Sequence, residues 1–244
     1  MTGFTVVLLP GLDGTGMLFR PLLAHLPPDL SPLVVTYPTH ELLGYGELLP
    51  RVFDALPTSA PFVLLAESFS GPLALMAAAR KPVGLRGIIL CASFVCNPLP
   101  AGSVLLRHVV RGFCFRVAPG FARTWALLGG YATPTLRRLS CEAIDAVSPH
   151  VLAHRVRAVL NVDVRRELEA CRVPVLYLRG THDRVVSRRN GDEVAARSSS
   201  ARVEEIPAPH FVLQAQPAAA AAAVSKFLAA LPSHPPLERT TAAV

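Results

Sequence analysis

Six short runs of aliphatic and β-branched residues punctuate this chain, and helical patterns fill most of the gaps between them. The runs are "FTVVLLP" (4–10), "SPLVVTYP" (31–38), "PFVLLAE" (61–67), "LRGIILCASFV" (85–95), "VPVLYLRG" (173–180) and "ARVEEIP" (201–207). They are apolar on both faces, as strands covered by helices on both sides must be. Helical spacing follows at about 17–26, 46–56, 70–80, 190–197 and 216–230. Strand–helix alternation of this kind predicts one mostly parallel sheet of about six strands, connected by crossovers and flanked by helices on both faces.

The alternation lapses once. Between the fourth and fifth runs lie about 75 residues with no convincing strand and several short helical patterns separated by Gly and Pro. The expected organisation is therefore an α/β core over 1–96 and 172–231, a helical cap inserted over 97–171, and a loose Pro-rich tail over 232–244. At 244 residues with 51% apolar side chains and a mean hydropathy of +0.41, the chain can bury a substantial single core. No stretch approaches the roughly 20 apolar residues a bilayer span requires. The opening "MTGFTVVLLPGLDGTG" has no basic leader and breaks at Pro10, so it reads as a first strand rather than a signal peptide. Five cysteines (91, 96, 114, 141, 171) without CxxC spacing are expected to be reduced core thiols, with no zinc or disulfide, in a cytoplasmic protein.

The net charge of +7 comes from 22 Arg and 2 Lys against 17 acids, scattered through periodic segments with no lysine-rich run or aromatic RNA-binding signature. Nucleic acid is therefore not an expected partner. The charge is uneven, however: residues 97–171 hold ten arginines against five acids.

Within "VLLAESFSGPLALMAAA" (63–79), a buried strand turns abruptly into an Ala-rich helix. A serine at such a turn stands at the N-terminal amides of the following helix. The turn is so sharp that the positions two before and two after it must be small. Ala66 and Ser70 occupy those positions around Ser68, and Gly71 follows, a relaxed form of the usual Gly-x-Ser-x-Gly. The alternative is a plain serine N-cap. A nucleophilic serine needs a base, and the base an orienting acid. In this sheet type they follow in the order Ser, acid, His. "VLYLRGTHDRVV" carries Asp183 just past one strand, and "VEEIPAPHFVLQAQP" carries His210 just past the next. All three candidates thus leave the carboxyl edge of the sheet, where open α/β sheets bind ligands. Asp163 is the second-choice acid, and His182 is a rival base that shares its loop with the acid. Asp192 is expected on a helix, and His108, His150 and His154 on exposed faces of the insertion.

The Gly-rich "PGLDGTG" after the first strand can turn backbone amides toward a ligand. The oxyanion donors are assigned to the backbone N–H of Leu12 and Phe69. A dinucleotide or phosphate loop is the rival reading, but Gly11, Gly14 and Gly16 are spaced GxxGxG and no Lys-Ser/Thr follows.

Taken together, "PGLDGTG", "AESFSG", "RGTHDRVV" and "PHFVLQAQP" give the chain a resemblance to the α/β-hydrolase superfamily over about residues 4–230. It is similar to small bacterial esterase-like hydrolases, to the hydrolase part of phytyl ester synthases and, in its cap, to the pimeloyl-carrier-protein methyl ester esterase. The superfamily's His-Gly at the oxyanion loop stands here as Pro10-Gly11, and its first two strands have no counterpart. The resemblance implies Ser68 as nucleophile, Asp183 as acid and His210 as base, with no cofactor and no metal. It implies a carboxylesterase for an apolar or medium-chain acyl ester, with acyl transfer or C–C bond chemistry as alternatives on the same frame. An acidic acyl-carrier protein docking on the Arg-rich cap is a further expectation. The acyl pocket is expected to be lined by Val104, Leu105, Val109, Phe113, Phe115, Trp125, Leu127 and Leu128, with Leu12, Phe69, Phe113 and Trp125 contacting substrate.

Overall fold

The computed structural model describes residues 4–58, 60–99, 105, 108–112 and 120–232. The expected tail therefore lies outside the described residues from 233 onward. Six strands, β1 (Thr5–Leu9), β2 (Ser31–Val34), β3 (Phe62–Glu67), β4 (Leu85–Cys91), β5 (Val175–Gly180) and β6 (Ala201–Ile206), form one sheet in the order β2-β1-β3-β4-β5-β6. Every pairing is parallel. The strands are shorter than the apolar runs; β4 stops at Cys91 although the run continues to Val95.

Side chains alternate between two apolar layers. Val7, Leu9, Leu64, Ala66, Ile88 and Leu90 face one layer. Val6, Leu8, Val63, Leu65, Ile89 and Cys91 face the other. The first layer is completed by α2 (Tyr45–Asp54), α3 (Gly71–Ala79), α7 (Arg165–Ala170) and α8 (Arg188–Arg197). The second is completed by α1 (Arg20–Leu23), α9 (Val212–Ala215) and α10 (Pro217–Ala229). The expectation of two buried faces fails for the edge strands. Ser31, Pro32 and Leu33 of β2 are exposed, and β6 is mostly half-buried or exposed. A proline in an edge strand costs no ladder bond on the open side and blunts that edge.

Between β4 and β5 lie α4 (Gly120–Leu128), α5 (Pro134–Asp145) and α6 (Pro149–Asn161). Thr133 caps α5 by accepting from the Leu136 amide, and proline occupies the first turn of both α5 and α6, where its missing N–H is harmless. The segment leaves and rejoins the core at one neck, where Cys96 bridges Asp163 and the Val164 amide donates to the Val95 carbonyl at 2.7 Å. It meets the core through Leu128, Leu139 and Ala143 packed on Leu18 and Phe211. Among the described cysteines, Cys91 and Cys171 are buried thiols while Cys96 and Cys141 are half-buried; Cys114 lies outside the described residues. No helix among the described residues is long and apolar enough to cross a membrane.

Candidate active site

The chain order places β2 on one side of β1 and all later strands on the other. The loops after β1 and β3 therefore lie side by side where the strand order reverses, which is where such sheets open a crevice. The first of these loops is Pro10–Gly16 and the second is the turn from β3 into α3 that begins at Ser68. Ser68 has φ 47°, in the left-handed region that costs a non-glycine residue about 1 kcal/mol or more. Surrounding bonds hold it there. Ser93 Oγ donates to the Ser68 carbonyl at 2.6 Å, and Tyr177 Oη donates to the Ser93 carbonyl at 2.6 Å. Ser70 Oγ donates to the Pro10 carbonyl and shares a 2.7 Å hydrogen bond with Tyr37 Oη. Ser70, expected only to be small, thus ties the Ser68 turn to the Gly-rich loop.

Asp183 and His210 come together because β5 ends in glycine. A Cβ on Gly180 would stand 2.5 Å from the Pro209 carbonyl oxygen and 2.6 Å from that of Ala208. The bare backbone lets the two loops touch, joined by the His182 amide on the Ala208 carbonyl at 2.9 Å. His210 Nδ1 then lies 2.9 Å from Asp183 Oδ2, and His210 Nε2 lies 3.0 Å from Ser68 Oγ. The other Asp183 oxygen accepts from the Val185 and Val186 amides at 2.8 and 2.9 Å, so the carboxylate is held at both ends. Both side chains are almost fully shielded from solvent. With Asp183 accepting at Nδ1–H, Nε2 is left as the ring nitrogen free to accept from Ser68.

The rivals lie elsewhere. Asp163 is exposed and engaged by Arg165. Asp192 sits on α8 and pairs with Arg179 at 2.7 Å. His182 is exposed and lies 3.3 Å from Tyr131 Oη. His108 and His150 are exposed as expected, but His154 is half-buried.

Ser68 and His210 open onto a cavity of about 250 Å³. Its apolar wall comes from Leu12, Leu18 and Phe211 of the core and from Leu127, Ile144 and Leu152 of the insertion. This corrects the expected lining. Of the eight pocket residues named from sequence, Leu127 alone lines the cavity among those described. Trp125 is 61% exposed, lies under the Arg184 guanidinium and borders a different cavity. Helical period explains the split: Arg123, Ala126 and Leu127 face inward, which turns Phe121 and Trp125 outward. Leu128 is buried in the seam with Leu18 and Phe211, and Leu105 and Val109 are exposed. Val104, Phe113 and Phe115 lie outside the described residues. The Phe69 ring is likewise absent from the lining. It stacks on Tyr45 with centroids 4.7 Å apart, leaving only its backbone near the site.

Three buried ionisable groups lie at the site. Glu67 precedes Ser68 and is 3% exposed; its Oε1 accepts from Gln214 Nε2 at 2.9 Å while its Oε2 has no partner among the described residues. Burial above all pushes its pKa up to about 7, with the nearby Asp13 adding to the rise. Asp13, in the Gly-rich loop, is also raised by burial, against hydrogen bonds from Thr15 and the pull of Arg155. Both acids line the cavity. The cation is Arg155 of α6, one of the ten arginines of residues 97–171, and it is fully buried. Others of these arginines are also engaged within the fold, Arg165 with Asp163 and Arg138 with Glu142. Arg155 and Glu67 were the functional candidates sequence reasoning left unassigned. The one available signal was a carboxylate in an otherwise wholly apolar strand.

A family model described as serine aminopeptidase S33 (Hydrolase_4) matches residues 48–212, a span that includes Ser68, Asp183 and His210. No curated protein sequence matches the chain. Among solved structures, the fold is similar to an enol-lactonase from Burkholderia xenovorans, with 19% identity over 94% of this chain and 92% of that one and a TM-score of 0.80. It is also similar to a bromoperoxidase from Bacillus anthracis (15% identity, 93% and 92% covered, TM-score 0.83). An esterase from Thermogutta terrifontis is another neighbour (20% identity, 93% and 90% covered, TM-score 0.79). These likenesses establish the fold, and the family match, spanning more than half of the chain, establishes the kinship: the protein is a hydrolase of the serine aminopeptidase S33 family, in the α/β-hydrolase superfamily.

Proposed function

We propose that this hydrolase cleaves carboxylic esters of short to medium apolar acyl groups through a Ser68–His210–Asp183 triad. The observation that carries the reading is the unbroken chain of contacts from Ser68 Oγ through His210 to Asp183, at 3.0 and 2.9 Å, opening onto an apolar cavity. Ser68 Oγ attacks the ester carbonyl carbon as its proton passes to His210 Nε2, and the Asp183 carboxylate stabilises the resulting imidazolium. The carbonyl oxygen becomes an oxyanion beside the amides of Leu12 and Phe69; among the described residues the Leu12 amide has no other acceptor. The tetrahedral adduct collapses, His210 returns its proton to the departing alkoxide, and the acyl group stays on Ser68. Water then attacks that acyl carbon, giving a proton to His210, and the second collapse releases the acid and restores Ser68. A cavity of about 250 Å³ lies just below the usual range of ligand pockets, about 300–1,000 Å³, and this favours compact acyl chains.

A fluorophosphonate probe and a nitrophenyl ester chain-length series test the reading. The expected result is stoichiometric labelling that Ser68→Ala abolishes, turnover that falls by about 10⁴-fold or more in Ser68→Ala and His210→Ala, and faster cleavage of short than of long acyl esters. Labelling that survives Ser68→Ala, or an aminoacyl anilide cleaved in preference to every ester, would overturn it.

A further inference from the structure

Among the described residues Arg155 is the largest fully buried side chain, and none of the ion pairs there includes it. Burying a guanidinium costs several kcal/mol unless its donors find partners, and an apolar side chain of similar volume would fill such a site more cheaply. Burial does lower its pKa, but a guanidinium remains cationic at any pH at which the protein is folded. Its partners show what the charge is used for. Nη1 donates to the carbonyls of Leu12 and Asp13, both at 2.9 Å, and Nη2 donates to the Pro38 carbonyl at 2.9 Å. All three acceptors are backbone, and two belong to the Gly-rich loop, whose Leu12 lines the cavity.

The contacts around this guanidinium converge on the same loop. Gly14 has φ 72°, and a Cβ there would meet Arg155 Nη1 at 2.6 Å and Tyr37 Cβ at 2.9 Å, so the loop is bare where the arginine crosses it. The guanidinium lies over the Tyr37 ring, 5.6 Å from its centroid. Tyr37 Oη in turn reaches Ser70, whose hydroxyl holds the Pro10 carbonyl at the start of the loop. The loop is therefore pinned twice: at its start, Pro10, from the Ser68 turn and at its middle, Leu12–Asp13, from α6. The electrostatics point the same way. Two buried carboxyl groups, Asp13 and Glu67, border the cavity beside Ser68, and each opposes an oxyanion there whenever it is ionised. A fixed cation behind the loop offsets that opposition.

We propose that Arg155 is a positioning residue for oxyanion stabilisation: by clamping the Leu12 and Asp13 carbonyls from the inserted helix α6, it holds the Leu12 amide in register with Ser68, so that docking of the insertion and completion of the oxyanion site are one event. The inference rests on the ester-hydrolase reading above, and it places no contact between Arg155 and substrate.

The test compares Arg155→Met and Arg155→Lys with wild type on one short-chain nitrophenyl ester. Two inhibitors of the same acyl chain accompany it: a trifluoromethyl ketone, which adds to Ser68 and places an oxyanion in the site, and an unreactive ether. For Arg155→Met the expected outcome is a fall in kcat of about 10²–10³-fold with KM and ether affinity held, and a matching loss of trifluoromethyl ketone affinity. Lysine keeps the charge but cannot span Leu12, Asp13 and Pro38 together, so it should restore only part of the loss. The proposal is overturned if kcat stays within about threefold of wild type, or if ether and ketone affinities fall equally. It is also overturned if neither variant folds, since the role is then purely structural. An inert wild type would instead sink the ester reading, and would be seen before any variant is made.

Discussion

Replacing Glu67 by glutamine should change how stability depends on pH, and the structure sets the size of the change. Glu67 is packed between β1 and β4, with Asp13, His210, Gln214 and the Cys91 thiol as its polar neighbours. Burial raises its pKa from 4.5 to about 7, so the folded protein holds that proton more tightly than the unfolded chain. The stabilisation is therefore complete below the unfolded value and is lost as pH rises through the folded one. At 1.36 kcal/mol per unit, the shift amounts to roughly 3 kcal/mol, most of which disappears between about pH 5 and about pH 9. Glutamine keeps the shape and the hydrogen bond to Gln214 but has no proton to lose. Urea unfolding of both proteins at the two pH values should show Glu67→Gln gaining about 2–3 kcal/mol on wild type between the acid and the alkaline condition. Ester turnover should show the same sign: an ionised Glu67 beside the developing oxyanion depresses wild-type kcat above about pH 7, and the glutamine variant lacks that alkaline decline. If the stability difference between the two proteins is the same at both pH values to within about 1 kcal/mol, Glu67 is not a buried neutral acid and the electrostatic account of the site fails.

Two further substitutions probe how the site is held together. Gly180→Ala places a methyl 2.5 Å from one backbone carbonyl oxygen and 2.6 Å from another, so the loop bearing His210 must retreat from β5. Ester turnover should fall by at least about 10²-fold, with 1–3 kcal/mol lost in urea unfolding; a variant turning over within about threefold of wild type would show that this close approach does not register the two loops. Ser70→Ala leaves the Pro10 carbonyl and the buried Tyr37 hydroxyl without their shared partner, at about 1–3 kcal/mol for each group left unsatisfied. A melting temperature unchanged from wild type would refute that accounting.

The parallel sheet was legible in the sequence because strands buried on both faces must be continuously apolar, and six such runs are visible by inspection. The same rule misjudged β2 and β6, since hydropathy along a strand does not say whether it lies at an edge. Ser68, Asp183 and His210 could be singled out because each follows a strand, and loops that follow parallel strands all emerge at one edge. Chain order and strand position favoured Asp183 and His210 over Asp163 and His182, but the contacts themselves depend on a close approach of two backbones at Gly180 and on hydrogen bonds 27 and 142 residues long in sequence. The insertion was read least well. Its helices are amphipathic enough to be found but too short and too evenly mixed for composition to say which face meets the core, so Trp125 was expected in a cavity it turns away from. Arg155 is the plainest case. In sequence it is one arginine among ten in a basic segment, and only folding brings it against three carbonyls up to 143 residues away, where its charge can matter to the chemistry. Sequence pattern determined which elements form and which edge carries reactive side chains, because both depend on local burial. Tertiary structure alone decided which polar groups lose water together, and that loss governs their strength.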